Sequence, residues 1–360
     1  MPRQRDITEE PLKTSKNDSD KTHTTPAPAG TALRHLKPRE TRKKLNAGST
    51  LPTSRLSGGS ALQGLELSRK FYRECAAPAI AERFGERSCR VAAGLAGQGS
   101  DCLGYDDEIS RDHDFGPGCC LWLTDEDFSA FGPELQKLYD SLPNEFMGFS
   151  RNTTPQGSPR IGVIQISRFY AQFTGCPDVP PNDVSWFRIP EHFLAAVTSG
   201  EVFYDDLGEF TRIRKGLLPC YPKDVLLKKL AARVFVMGQA GQYNYGRIIK
   251  RDDGPAAMLA LDEFVRAALS AIHLLNKRYI PYYKWAFRSA RALPRLVEAV
   301  RELDLLYSSS EADRQEIIES ICGRIRVTLR DDGLSSISES FLVPQAEEIM
   351  KRIGSDYLKK

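Results

Sequence analysis

The residues best suited to chemistry fall in one stretch, GLAGQGSDCLGYDDEISRDHDFGPGCCLWL, residues 94–123. Gly97 and Gly99 frame a turn, and Ser100 follows directly. Glycine has no Cβ, so backbone N–H groups there can approach an anion closely. Ser100 is suited to cap a helix starting at that point, and a helix N-terminus attracts phosphate oxygens. Asp112 and Asp114 lie one residue apart. Alternate side chains of an extended chain share a face, which sets these carboxylates together and His113 opposite. Paired carboxylates suit Mg2+, which takes oxygen ligands and retains substrate phosphates in its shell. The chemistry expected is a phosphate cradle beside a Mg2+ site.

A strand over Arg90–Leu95 is expected to deliver the glycine turn, and a polar segment of helical length to follow it. After Gly116-Pro117-Gly118 the apolar run Cys119–Leu123 reads as a short buried strand, and Asp125–Ser141 as a helix with Phe128, Phe131, Leu135, Leu138 and Tyr139 on its packing face. Arg160–Ile166 reads as a third strand and carries no acid. The segment GEVFYDDLGEFTRIR reads as two strands, Glu201–Tyr204 and Glu209–Ile213, around a turn at Asp206–Gly208. Asp205 is then either a third metal ligand or, like Asp206, a turn residue. Arg212 and Arg214 either bind phosphate from the return strand or pair with Glu201 across the hairpin. Upstream, the stripe Leu65, Leu67, Phe71, Tyr72, Cys75, Ile80 and Phe84 predicts a helix from Gly64.

Beyond Pro222 the chain reads as helical. Asp224 is a candidate N-cap for DVLLKKLAARVFVMGQ. At α-helical spacing, Gln239, Gln242, Tyr243, Gly246, Arg247 and Lys250 share a face, which suits either a recognition surface or an ordinary polar stripe. A long helix is expected from Gly254 through LLNKRYIPYYKWAF, kinked at Pro281. On it Asn276, Tyr279, Tyr283 and Lys284 have helical spacing. Tyr279 or Tyr283 would stack a base or acceptor, and Lys284 would meet phosphate, unless these rings simply pack between helices with snorkelling cations. His273, on the apolar side, reads as a core histidine. Two further helices are expected over Glu311–Leu329 and Phe341–Lys359.

The order Gly-Ser, polar segment, D-x-D, strand resembles the signature of the nucleotidyltransferase superfamily, which includes DNA polymerase β and kanamycin nucleotidyltransferase. The blocks GLAGQGSDCLGYDDEISRDHDFG, GEVFYDDLGEFTRIR, GQYNYGR and LLNKRYIPYYKW resemble a bacterial family within it, domain of unknown function 4037, from about Leu65 onward. The resemblance implies an α+β fold: a nucleotidyltransferase-like mixed sheet with flanking helices over residues 61–220, then an α-helical bundle, a lid or substrate domain, over 221–360. It also implies transfer of a nucleoside monophosphate from a nucleoside triphosphate to a hydroxyl. Asp112, Asp114 and Asp205 would then be catalytic and metal-binding. Gly97, Gly99, Ser100, Gln242, Tyr243, Arg247, Asn276, Tyr279, Tyr283 and Lys284 would bind nucleotide. The superfamily often places a third carboxylate on a strand near Arg160–Ile166. Its absence leaves open a second reading, a nucleotide-binding regulatory module without turnover. The acceptor stays open between a small molecule, a protein hydroxyl and an RNA end.

Composition bounds the rest. The 360 residues carry a formal net charge of +3. Residues 1–60 hold 12 Lys and Arg against 6 Asp and Glu, so the remainder is near −3. That first segment is rich in Thr, Ser, Lys, Arg and Pro and is expected to be a disordered basic tail. A nucleic-acid adapter led by its Arg34–Lys44 cluster is a third, weaker reading, since no recognition motif accompanies it. No apolar run nears the roughly 20 residues of a membrane span, and no secretory h-region is present. The 8 cysteines form no C-x-x-C pair and read as free thiols of a cytoplasmic protein.

Overall fold

A computed structural model describes residues 63–110, 115–151 and 160–360. The basic segment 1–60, together with Asp112, His113 and Asp114, lies outside the described residues. The fold is mixed α+β: a small sheet among many helices. The strands in chain order are β1 (Ala92–Leu95), β2 (Cys120–Leu123), β3 (Glu145–Phe146), β4 (Phe149–Ser150), β5 (Gly162–Gln165) and β6 (Glu201–Tyr204). The main sheet has the order β5-β2-β1-β6, and β3 and β4 form a separate hairpin. β1 is antiparallel to β2, with Ala92 opposite Trp122 and Gly94 opposite Cys120. β2 runs parallel to β5, Leu121 beside Val163. β1 also pairs antiparallel with β6 through a register shift between Ala93 and Gly94.

Alternation along these strands divides the core. Ala93, Leu121 and Leu123 face one side, where they meet Phe71, Ile80, Phe131, Leu135 and Tyr139 from the N-terminal helices and the helix Asp125–Ser141. Ala92, Cys120 and Trp122 face the other. There Trp122 stacks on Phe210 with ring centroids 3.8 Å apart. This second core continues through Leu230, Val234, Leu261, Phe264, Ile321 and Ile349 of the helical segment. Gly94 is required at the sheet centre, because a Cβ there would fall 2.4 Å from the Glu201 carbonyl and 2.8 Å from the Trp122 ring.

Several elements differ from expectation. The return strand Glu209–Ile213 is instead the helix Glu209–Leu217, burying Phe210, Ile213 and Leu217 at helical spacing. The carboxylate of Asp205 accepts hydrogen bonds from the amides of Gly208 (3.1 Å) and Thr211 (2.8 Å), an Asx-type cap that favours the helix. Arg212 and Arg214 therefore do not share a strand face. Arg212 pairs with Asp178 and Glu209, while Arg214 donates to the carbonyls of Ser199 and Gly200, both at 2.9 Å. Glu201 pairs with Arg69 rather than across a hairpin.

Among the described residues the polar segment after the glycine turn holds one helical turn, Ser100–Leu103, with Gly99 as its cap and Ser100 as its first residue. Asp224 lies inside the helix Lys223–Val236, capped at Pro222, and accepts instead from the amides of Gly354 (2.9 Å) and Ser355 (2.7 Å). Residues Met237–Tyr245 wind as a π-helix, which shifts the polar face inferred from 3.6-residue spacing. The long helix stops at Leu275 rather than kinking at Pro281. Lys277 takes φ 52°, and the chain re-enters helix only at Tyr283–Arg291. Proline biases the preceding residue towards extended backbone, which holds this break open. The last expected helix is likewise split, into Leu342–Lys351 and Asp356–Lys359.

The core assignments of His273 and the thiols agree with the structure. All eight cysteines are free, Cys119 and Cys120 fully buried. His273 is wholly buried, its ring nitrogens meeting the Leu269 carbonyl (2.7 Å) and the Ser289 hydroxyl (2.9 Å). Burial lowers its pKa below the ordinary histidine value. The folded state then binds this proton less readily than the unfolded one, so stability falls as pH drops below about 6.5. Melting temperatures at pH 7.5 and 5.5 should therefore diverge more for the wild type than for His273→Gln. Parallel pH dependence would remove His273 as the cause.

Candidate functional site

The glycine turn follows β1. Gly97 (φ 115°) and Gly99 (φ 141°) both occupy backbone space that other residues rarely adopt. The turn is held from three sides. Ser199 Oγ donates to the Gly97 carbonyl at 2.8 Å, and the Gly200 amide donates to the Cys102 carbonyl at 2.7 Å. Arg160 donates to both oxygens of Asp101, at 2.8 and 2.9 Å. Asp101 is buried, and its Oδ1 also accepts from the Cys102 amide. A Cβ on Gly99 would lie 2.3 Å from that Oδ1 and 2.7 Å from the Arg160 guanidinium. The turn is thus seated on a buried ion pair.

Gly97, Gln98 and Gly99 open into a cavity of about 340 Å³. Its opposite wall comes from later in the chain: His192 and Phe193 of the helix Glu191–Thr198, with Pro281, Tyr282 and Trp285. Arg288 donates to the Tyr105 carbonyl at 2.7 Å and lies 4.7 Å from the Tyr105 ring centre. The rings of Tyr105 and Trp285 lie 5.6 Å apart. Residues 186–286 match the family model described as Domain of unknown function (DUF4037). Comparison with curated proteins and with solved structures finds no match. The DUF4037 segment therefore supplies the aromatic wall, while the glycine turn lies outside it.

A larger cavity of about 650 Å³ adjoins the first, and His192, Pro281 and Tyr282 line both. The expected binding residues distribute unevenly around them. Gly97 and Gly99 line the smaller cavity and Tyr283 the larger. Lys284 is exposed, with its ammonium 5.0 Å from the Trp285 ring centre. Ser100 follows the turn but does not line the smaller cavity. Tyr279 is buried and donates to the Leu217 carbonyl at 2.7 Å. Asn276 ties the helix end Ile272–Leu275 to Arg295. Gln242 links its π-helix to Glu319, Ser340 and Leu342. Tyr243 and Arg247 bond to each other at 2.8 Å, and neither lines the two cavities.

Three residues of the site were given no individual role from the sequence: His192, Tyr282 and Trp285, the last two being noted only as members of the ring and cation cluster around Pro281. The signal for the last two was present in the PYYKW cluster, but an unbroken helix pointed to the wrong members of it. His192 stands alone in sequence and carries no motif. Among the described residues no three His, Cys, Asp or Glu side chains are grouped to hold a metal ion. The Asp205 carboxylate is engaged by the Gly208 and Thr211 amides at the start of its helix. Among the described residues no helix is long and apolar enough to cross a membrane.

Proposed function

We propose that this chain is a Mg2+-dependent nucleotidyltransferase that moves a nucleoside monophosphate from a nucleoside triphosphate to an acceptor hydroxyl. The observation that carries the reading is the smaller cavity, where a turn of two positive-φ glycines faces His192, Tyr282 and Trp285. The glycine backbone leaves room for phosphate oxygens, and the rings offer a flat surface to a base. In the reaction the acceptor oxygen bonds to the α-phosphorus and the bond to the β-phosphate oxygen breaks. Pyrophosphate leaves with that electron pair, and the hydroxyl proton passes to solvent. Holding the two reactants in line is the chain's main task, since such transfer needs little covalent help from side chains. Bound Mg2+, held by Asp112 and Asp114, would neutralise charge on the triphosphate.

The first test is release of pyrophosphate from each of the four common nucleoside triphosphates, with Mg2+ and a panel of small hydroxyl compounds, proteins and RNA ends. Turnover that stops on chelation supports the reading. Binding of Mg2+–ATP without pyrophosphate from any acceptor favours a nucleotide-binding module instead. The specific observation behind that alternative is Asp205, whose capping role leaves two carboxylates for the metal.

A further inference from the structure

We propose that the exposed rings and cations around Pro281 bind a single-stranded nucleic acid, whose terminal hydroxyl is the acceptor. The acceptor role rests on the transfer reading above; the strand-binding surface does not. Residues 264–297 hold seven Lys and Arg and no Asp or Glu. Of these cations, Arg291 and Arg295 pair with Asp304 and Asp332. Lys277, Arg278, Lys284 and Arg288 are exposed and, among the described residues, form no ion pair.

Four rings lie among these cations. Tyr282 and Tyr283 are 53% and 68% exposed, with ring centres 4.4 Å apart. Trp285 and Tyr105, half-buried, lie 5.6 Å apart. The Lys284 ammonium is 5.0 Å from the Trp285 ring centre. The Arg288 guanidinium is 5.9 Å from the same ring and 4.7 Å from that of Tyr105. Tyr282 and Trp285 line the smaller cavity, whereas Tyr283 and Tyr105 do not, so the aromatic surface extends beyond it. A mononucleotide held in the cavity would leave those two outer rings unused. Rings interleaved with cations suit a strand, because every base has a face that stacks and the phosphates follow the positive charge. The repeated phosphates also supply the anions that this acid-free segment lacks. An acidic peptide would meet the cations alone. A strand end stacked on Tyr283 lies next to Tyr282, and so beside a nucleotide at the glycine turn.

The test is fluorescence anisotropy of labelled strands of about 12 nucleotides with the full chain, one RNA and one DNA, each also offered as a duplex. At least one single strand should bind about tenfold more tightly than its duplex, whose bases are already stacked on each other. The sugar that binds more tightly identifies the strand. Tyr283→Ala should weaken that binding about tenfold. Lys284→Gln should weaken it too and reduce the slope of log affinity against log salt by about 0.7. Tyr357→Ala, which removes a ring of similar exposure in the last helix, should change affinity by less than about twofold. All three variants should melt within about 2 °C of the wild type, since each side chain is exposed. Binding that Tyr283→Ala and Lys284→Gln leave unchanged overturns the proposal, because the basic residues 1–60 alone would give it. Equal affinity for poly-glutamate of matched charge overturns it as well and favours an acidic protein partner. Failure of the transfer reading looks different: the strand binds with its dependence on Tyr283, yet no nucleoside triphosphate yields pyrophosphate with it or any other hydroxyl. That result removes the acceptor role and leaves the surface. Pyrophosphate released with a small hydroxyl compound while no strand binds removes the surface and leaves the transfer reading.

Discussion

Asp112→Asn and Asp114→Asn should each reduce Mg2+-dependent pyrophosphate release by about a hundredfold or more, with the protein still folded. Amide and carboxylate have nearly the same shape, so the change removes charge without opening a cavity. Charge is what a hard cation requires of these ligands. Metal assistance is worth several kcal/mol in reactions of this kind, and each 1.36 kcal/mol is about a factor of ten in rate. Excess Mg2+ should restore part of the loss, because the ligand change acts on affinity first. Circular dichroism and melting temperature should match the wild type. Wild-type turnover in both variants would make these aspartates bystanders and end the transferase proposal. Unfolding of both would assign them a structural role.

Arg160→Met should lower the melting temperature by roughly 10 °C, the largest stability effect expected near the site. The guanidinium and the Asp101 carboxylate have side-chain exposures of 23% and 11%, too low for water to replace either partner. Removing one member of a buried pair typically costs about 3–5 kcal/mol, since a desolvated charge is left behind. At about 2–4 °C per kcal/mol for a large domain, the shift should be plain. Among the described residues Asp101 would keep the Cys102 amide as its one hydrogen-bond donor. The double variant Asp101→Asn with Arg160→Met should recover much of the loss, because the stranded charge is gone and the two sites are coupled. Because Gly99 sits against the same pair, nucleotide affinity should fall with Arg160→Met even at temperatures where the protein is folded. A shift below about 2 °C would show that the pair behaves as a surface ion pair.

Much of the fold was legible because periodicity and burial agreed. The strand Cys120–Leu123 and the helix Asp125–Ser141 lie where their apolar patterns place them. The helix Glu209–Leu217 was misread because the acidic stretch Asp205–Gly208 also suits a hairpin turn, which set a return strand after it, although Phe210, Ile213 and Leu217 recur three and four residues apart as on a helix. The Asp205 carboxylate, bonded to the Gly208 and Thr211 amides, starts that helix. The candidate site was half legible. Gly97 and Gly99 are visible because a glycine pair has few other uses after a strand. The aromatic wall was not, because a face drawn at α-helical spacing through Asn276, Tyr279, Tyr283 and Lys284 assumes unbroken helix. The extended segment before Tyr283 rotates Tyr282 and Trp285 onto the cavity and sends Tyr279 into the core. His192 reaches the site by tertiary packing alone.

The strand order has a consequence for how the chain is made. β1 emerges early, and β2 can pair along one of its sides soon afterwards, with β5 adding to β2. Its other side must wait for β6, which ends at Tyr204 although β1 ends at Leu95. At about 5–20 residues per second of synthesis, that gap lasts on the order of 5–20 s. During that time the nascent chain presents an unpaired strand edge beside the glycine turn, the kind of surface that recruits other strands. In a nascent chain that ends before residue 200 this edge of β1 stays unpaired, and β6 is the element whose arrival covers it.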